Sequence, residues 1–91
     1  MDKITKGKGR FYIAGDVKDL AEITYRTEEN TGNLVIDHTF VSEELRGQGA
    51  GEKLVRAVVD LAREQKIKIV PECPYAAHQF EKHAEYKDVL K

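Results

Sequence analysis

Eight residues with a two-residue period give way, across a glycine-rich break, to sixteen residues with a helical period. A chain built around that change sets the end of a strand beside the start of a helix. In the first run Leu34, Ile36, His38 and Phe40 fall on one face and Val35, Asp37, Thr39 and Val41 on the other, the alternation of a β-strand. His38 is thereby expected to point with the apolar set. In the second run Ala50, Leu54, Ala57, Val58, Leu61 and Ala62 make one apolar stripe, and Glu52, Lys53, Arg56, Asp60, Arg63 and Glu64 cover the remainder. That is the pattern of an amphipathic helix packed on a sheet, with the charges as a solvated face.

Weaker signals surround this centre. Arg10-Phe11-Tyr12-Ile13-Ala14 reads as a short strand closed by Gly15-Asp16. Leu20 to Thr27 alternates as a second strand, and Glu28 to Asn33 supplies the polar turn of an antiparallel hairpin. Ile67 to Val70 follows the long helix closely enough to complete a β-loop-α-β unit, and Pro71 and Pro74 end it because neither can donate to a ladder. From Tyr75 to about Tyr86 a second helix is expected, with Ala76, Phe80, His83 and Ala84 near one face.

Charge and length limit what such a chain does. With 91 residues it is expected to form one domain, 1–91, with a thin core. Fifteen Lys and Arg against sixteen Asp and Glu leave a formal net charge of −1, which provides no overall attraction to nucleic acid or an anionic membrane. Lys3, Lys6, Lys8 and Arg10 form a local basic run that reads as a solvated, frayed terminus. No apolar stretch approaches the roughly 20 residues of a membrane span, and no signal segment opens the chain, so a soluble cytoplasmic protein is expected, monomeric by default. The single Cys73 excludes an internal disulfide and a multi-Cys zinc site. His78 and His83, five apart, do not share a helix face, so no metal is expected.

The break itself carries the most legible chemistry. Arg46-Gly47-Gln48-Gly49-Ala50-Gly51 holds three of the seven glycines. Glycines there let the backbone turn tightly and let a ligand approach, while the first amides of the helix lack intrahelical partners. A diphosphate suits that geometry, and Arg46 can add a charge-assisted contact. The spacing fits neither the nucleotide P-loop, which needs Gly-Lys-Ser/Thr, nor the dinucleotide Gly-x-Gly-x-x-Gly fingerprint.

Arg46-x-x-Gly49-x-Gly51 resembles the Gln/Arg-x-x-Gly-x-Gly/Ala signature of the GNAT superfamily of acetyl-CoA-dependent N-acetyltransferases. Ile36-Asp37-His38-Thr39-Phe40-Val41, Leu45-Arg46-Gly47, Val70-Pro71-Glu72-Cys73-Pro74-Tyr75 and Glu85-Tyr86-Lys87-Asp88 look like its minimal, single-domain branch. The resemblance implies a small GNAT-like α+β fold: a mostly antiparallel twisted sheet of about four to five strands, two helices and a central β-loop-α-β unit. It implies acetyl-CoA as co-substrate, with Arg46, Gly47, Gln48, Gly49, Ala50 and Gly51 around the pyrophosphate and the main chain of Phe40 and Val41 along the pantetheine.

The same resemblance makes His38 and Cys73 the suspected catalytic pair, with Tyr75 as a candidate proton donor to the departing thiolate. Two chemistries follow. His38 as general base deprotonates an amine that attacks the acetyl carbon directly, or Cys73 takes the acetyl group first. Read from the residues alone, a His on an apolar strand face and a lone Cys are also ordinary core residues, and Tyr75 can equally point inward. The expected function is acetyl transfer to an amine on a small molecule or protein. The alternative is a coenzyme A-binding module without efficient chemistry, and an RNA- or partner-binding role has less support.

Overall fold

In the computed structural model, which describes residues 3–91, the alternating runs become a five-stranded sheet. Its strands are β1 (Ile4–Gly7), β2 (Arg10–Ile13), β3 (Ala21–Thr27), β4 (Leu34–Val41) and β5 (Ile69–Pro71), lying side by side in that order. The first four pair antiparallel and β5 runs parallel to β4. The parallel pair is made possible by the crossover helix α1 (Ala50–Gln65). A second helix, α2 (Pro74–Lys82), and short 3₁₀ helices at Glu43–Leu45 and Ala84–Val89 complete the chain. The small α+β architecture with its central β-loop-α-β unit is the one expected.

One face of the sheet meets α1. Phe11, Ile13, Ala21, Ile23 and Ile36 from the strands enclose a core with Leu54, Val55, Val58 and Val59 of α1, and Ala76 and Phe80 of α2 close one end. The buried stripe of α1 is rotated from the expected one: Val55 and Val59 are fully buried, while Ala57 and Leu61 are half-buried. Helical spacing fixes which residues share a face, but the sheet decides which edge of a broad apolar face is the centre. On the sheet's other face ion pairs join Arg10 of β2 to Glu22 of β3 and to Asp19 just before it, and Arg26 of β3 to Asp37 of β4 and to Glu72 just past β5. Among the described residues no helix is long and apolar enough to cross a membrane.

Two expectations need correction. The basic start is not a frayed tail: Ile4–Gly7 is an edge strand paired in register from Ile4↔Ile13 to Gly7↔Arg10. A four-residue strand of mixed polar character gives no readable period, and its turn depends on Gly9, whose φ of 69° is left-handed. The second helix does not run to Tyr86. It stops at Lys82, and His83, at φ −113° and ψ 91°, breaks the spiral so that Tyr86 and Val89 re-enter the core from a 3₁₀ segment.

Candidate functional site

The site begins where β4 and β5 part. Their pairing ends at Ile36↔Pro71, and the amides of Glu72 and Cys73 both donate to the Ile36 carbonyl at 3.0 Å. Beyond that point the β5 chain turns away through Pro71 and Pro74 into α2, while residues 38–41 continue paired with β3 alone. One edge of β4 is left facing the gap.

A bulge sits at the same place. Thr24 pairs with His38 and Tyr25 with Ile36, so Asp37 is an extra residue on β4. The alternation therefore changes phase. Leu34 and Ile36 face the core, but beyond Asp37 it is Thr39 and Val41 that turn toward α1, paired with the buried Ile23 and Ala21. His38 and Phe40 go to the opposite face with Thr24 and Glu22 and are exposed. The expectation that His38 points with the apolar set is thus overturned. Period-two reading carries a phase across a strand, and one inserted residue reverses it. Asp37 accepts a hydrogen bond from the Thr24 hydroxyl on the uncovered face.

Between the free edge of β4 and the start of α1 lies a groove of about 430 Å³, walled by Thr39, Val41 and Leu45 on one side and by Gly49, Ala50 and Gly51 on the other. Arg46, Gly47, Glu52 and Tyr75 complete its lining. Helix α1 has no side-chain cap, and its N-cap is Gly49. The first amides of the helix thus meet the groove without a side-chain acceptor.

The three glycines do different things. Gly47 and Gly49 have φ of 82° and 75°, left-handed values that a side chain resists, and a Cβ at either would meet nothing within 4 Å. Gly51 is helical but buried, and a Cβ there would run into the phenol of Tyr75, 2.7 Å from its Cζ. Conformation requires the first two and proximity the third.

The remaining expected residues are distributed unevenly. Gln48 is exposed, its amide side chain donating to the Glu44 carbonyl and its backbone N–H to Leu45, so it is not part of the groove wall. Phe40, 41% exposed, lies across the sheet from the groove. Cys73 is buried and its thiol lies 3.5 Å from the hydroxyl of Thr39, a groove residue. Burial pushes that thiol up, but the Thr39 hydroxyl and the amides of Ala76, Tyr75 and Thr39 outweigh it, leaving it below the ordinary thiol value. Tyr75 is shifted the other way, raised by burial and by the charges of Glu52 and Cys73. His38 is on the opposite face of β4 from Thr39, so the suspected pair is separated by the strand.

Sequence reading missed Thr39, because the bulge was not legible, and Glu52, which was assigned to the solvated face. Glu52 turns toward the groove and reaches His83 of the segment after α2, 3.4 Å away. Among the described residues no group of three or more His, Cys, Asp or Glu is arranged to hold a metal ion.

Comparison with known proteins accounts for this arrangement. A family model described as GCN5-related N-acetyl-transferase matches residues 10–89. The solution structure of a GCN5-like protein from Staphylococcus aureus is 49% identical, with a TM-score of 0.83, covering 98% of this chain and 87% of that one. A ribosomal-protein-alanine N-acetyltransferase from Brucella melitensis biovar Abortus 2308 shares the fold at 22% identity and a TM-score of 0.61, over 80% of this chain and 59% of that one. So does a protein from Clostridium acetobutylicum, described as a predicted acetyltransferase and solved with acetyl-CoA, at 18% identity and a TM-score of 0.59, over 80% of this chain and 54% of that one. No match is found among curated proteins. A glycine-bearing strand-to-helix break beside diverging parallel strands, a family match spanning most of the sequence, and a half-identical relative of nearly the same length agree: this chain belongs to the GCN5-related N-acetyltransferase family.

Proposed function

We propose that the chain, acting as one domain over 1–91, is an acetyl-CoA-dependent N-acetyltransferase that moves an acetyl group to an amine, with the coenzyme in the groove between β4 and α1. The single observation that carries this is the union, in one groove, of an uncapped helix start and an unpaired strand edge. The first offers N–H groups to a diphosphate, with Arg46 of the groove lining as counter-charge. The second offers main-chain groups of residues 37–41, Phe40 and Val41 among them, to the amides of the pantetheine arm. The empty space around Gly47 and Gly49 fits a bulky anion.

In the direct route the amine nitrogen bonds to the acetyl carbon, the carbon–sulfur bond breaks, and the amine proton has to leave. His38, exposed on the uncovered face of β4, serves as base for an acceptor arriving from that side. Tyr75, whose phenol keeps its proton above the usual range, returns one to the coenzyme thiolate. A second route is favoured by one observation, the lowered Cys73 thiol beside Thr39. There Cys73 accepts the acetyl group, and the amine then attacks the Cys73 thioester. In this route the thiolate depends on Thr39 and the α2 amides rather than on His38.

The test starts with binding. Coenzyme A added to labelled protein is expected to shift the amide NMR signals of residues 47–54, and an unmoved set would remove the cofactor reading. Next, acetyl-CoA and a panel of amines are followed by mass spectrometry. His38→Ala is expected to slow amine acetylation with coenzyme binding kept, and an acetyl adduct that survives in Cys73→Ser rules out Cys73 as carrier. Binding without acetylation of any amine would leave a coenzyme-binding module.

A further inference from the structure

Glu52 is an awkward residue for an anion site. As the third residue of α1 it places a carboxylate in the lining of the groove, within the helix turn whose amides are offered to the ligand. The helix dipole favours an acid there, but an incoming phosphate meets it as a like charge. The nearby cation Arg56 is turned toward Asp60, 3.3 Å away.

The group facing Glu52 is His83. Its Nε2 lies 3.4 Å from Glu52 Oε2 and its Nδ1 3.4 Å from Glu85 Oε2. The imidazole is fixed from the side by Tyr86, with ring centroids 5.1 Å apart. Its Nε2 is buried and meets no partner in hydrogen-bond geometry, so its 3.4 Å approach to Glu52 is one of proximity rather than a hydrogen bond. The break at His83 that ends α2 is what brings this ring to the first turn of α1.

We infer that His83 is a positioning residue for coenzyme binding: it holds the Glu52 carboxylate against the α2 side and offsets its charge, so that the phosphates of the coenzyme reach the α1 amides. The inference rests on the reading of the groove as the coenzyme site. It makes the two residues a coupled pair whose effect on binding is confined to ligands that carry phosphate.

The experiment is a calorimetric double-mutant cycle on the full chain, with coenzyme A and with pantetheine, which lacks the phosphates. His83→Ala and the near-isosteric His83→Gln are expected to weaken coenzyme A by about two- to fivefold, the range of a partly exposed charge pair, and Glu52→Gln to tighten it by a similar factor. In the Glu52→Gln background, removal of His83 is expected to change little, because no carboxylate remains to be offset. His83→Lys is expected to restore most of the wild-type affinity, and pantetheine to bind all variants alike. Equal losses on removing His83 with and without Glu52, or equal losses for pantetheine, would make His83 a packing residue and end the inference while leaving the groove reading intact. Wild-type protein that binds no coenzyme A would overturn both.

Discussion

The phenol of Tyr75 occupies the space in which a side chain at residue 51 would begin: a Cβ built on Gly51 lies 2.7 Å from Tyr75 Cζ and 3.0 Å from Cε2. Gly51 and Tyr75, from two helices, are therefore one unit in the lining of the groove. In Gly51→Ala the ring has to move, and destabilisation of about 1–3 kcal/mol is expected, as for an overpacked contact. In a Tyr75→Ala background the same change is expected to stabilise by up to about 1 kcal/mol, because Ala is the better helix former. Urea denaturation of the four proteins measures the sign reversal, and a Gly51→Ala effect independent of residue 75 would contradict the close contact.

Gly49 answers to conformation alone. With φ at 75° and open space where a Cβ would go, Gly49→Ala is expected to lose about 1–2 kcal/mol to left-handed strain without any clash. Gly49→Asn is expected to lose less, since Asn tolerates that region better. Thermal melts that rank Ala with Asn would argue that the turn relaxes to another shape.

Cys73 and Thr39 bring β4 and the start of α2 together through the 3.5 Å contact of their side chains. With the thiol lowered by that hydroxyl and by nearby amides, its alkylation rate is expected to rise with pH about a midpoint below that of an unperturbed thiol. Thr39→Val removes one of the groups that lower it, and the midpoint is expected to move upward. Iodoacetamide labelling followed across pH gives both curves, and coincident midpoints would show that the hydroxyl does not matter.

Arg63 of α1 clamps the C-terminal segment by donating from Nε and Nη2 to the two carboxylate oxygens of Asp88 at 2.9 and 3.0 Å. That hydrogen bonding holds the Asp88 carboxyl below its ordinary range. The folded chain thus keeps the charge to lower pH than the unfolded chain does. Its contribution to stability is full above the unfolded pKa of about 4 and is lost as pH falls through the folded value. Glu28, held down by the Thr31 hydroxyl and Lys91, and Glu85, held down by its own amide, act in the same direction. Melting temperatures taken from neutral pH downward are expected to fall in the acid range, and Asp88→Asn to fall less steeply from a lower start. Parallel curves for the two proteins would show that the clamp contributes nothing to the acid sensitivity.

The fold could be read from the chain because its central features are local. The period-two run of β4, the helical stripe of α1 and the glycines at 47, 49 and 51 each express a backbone preference within a few residues, and β4 and α1 have the bounds that their patterns predict. The placement of the candidate site residues was another matter. Whether His38 or Thr39 faces the groove depends on Asp37 being extra against β3, a property of pairing between strands. Whether Gly51 needs to be glycine depends on a tyrosine 24 positions away. That Cys73 meets Thr39 and Glu52 meets His83 follows from where β5 leaves the sheet and where α2 stops. For β4, the glycine turn and α1 the chain by itself determined the local structure, since it is set by neighbours along the backbone, whereas the strand at Ile4–Gly7 and the end of α2 were decided by pairing and packing. Only the tertiary structure decided which side chains share the groove, because register and close approach arise between segments and leave no period in either one.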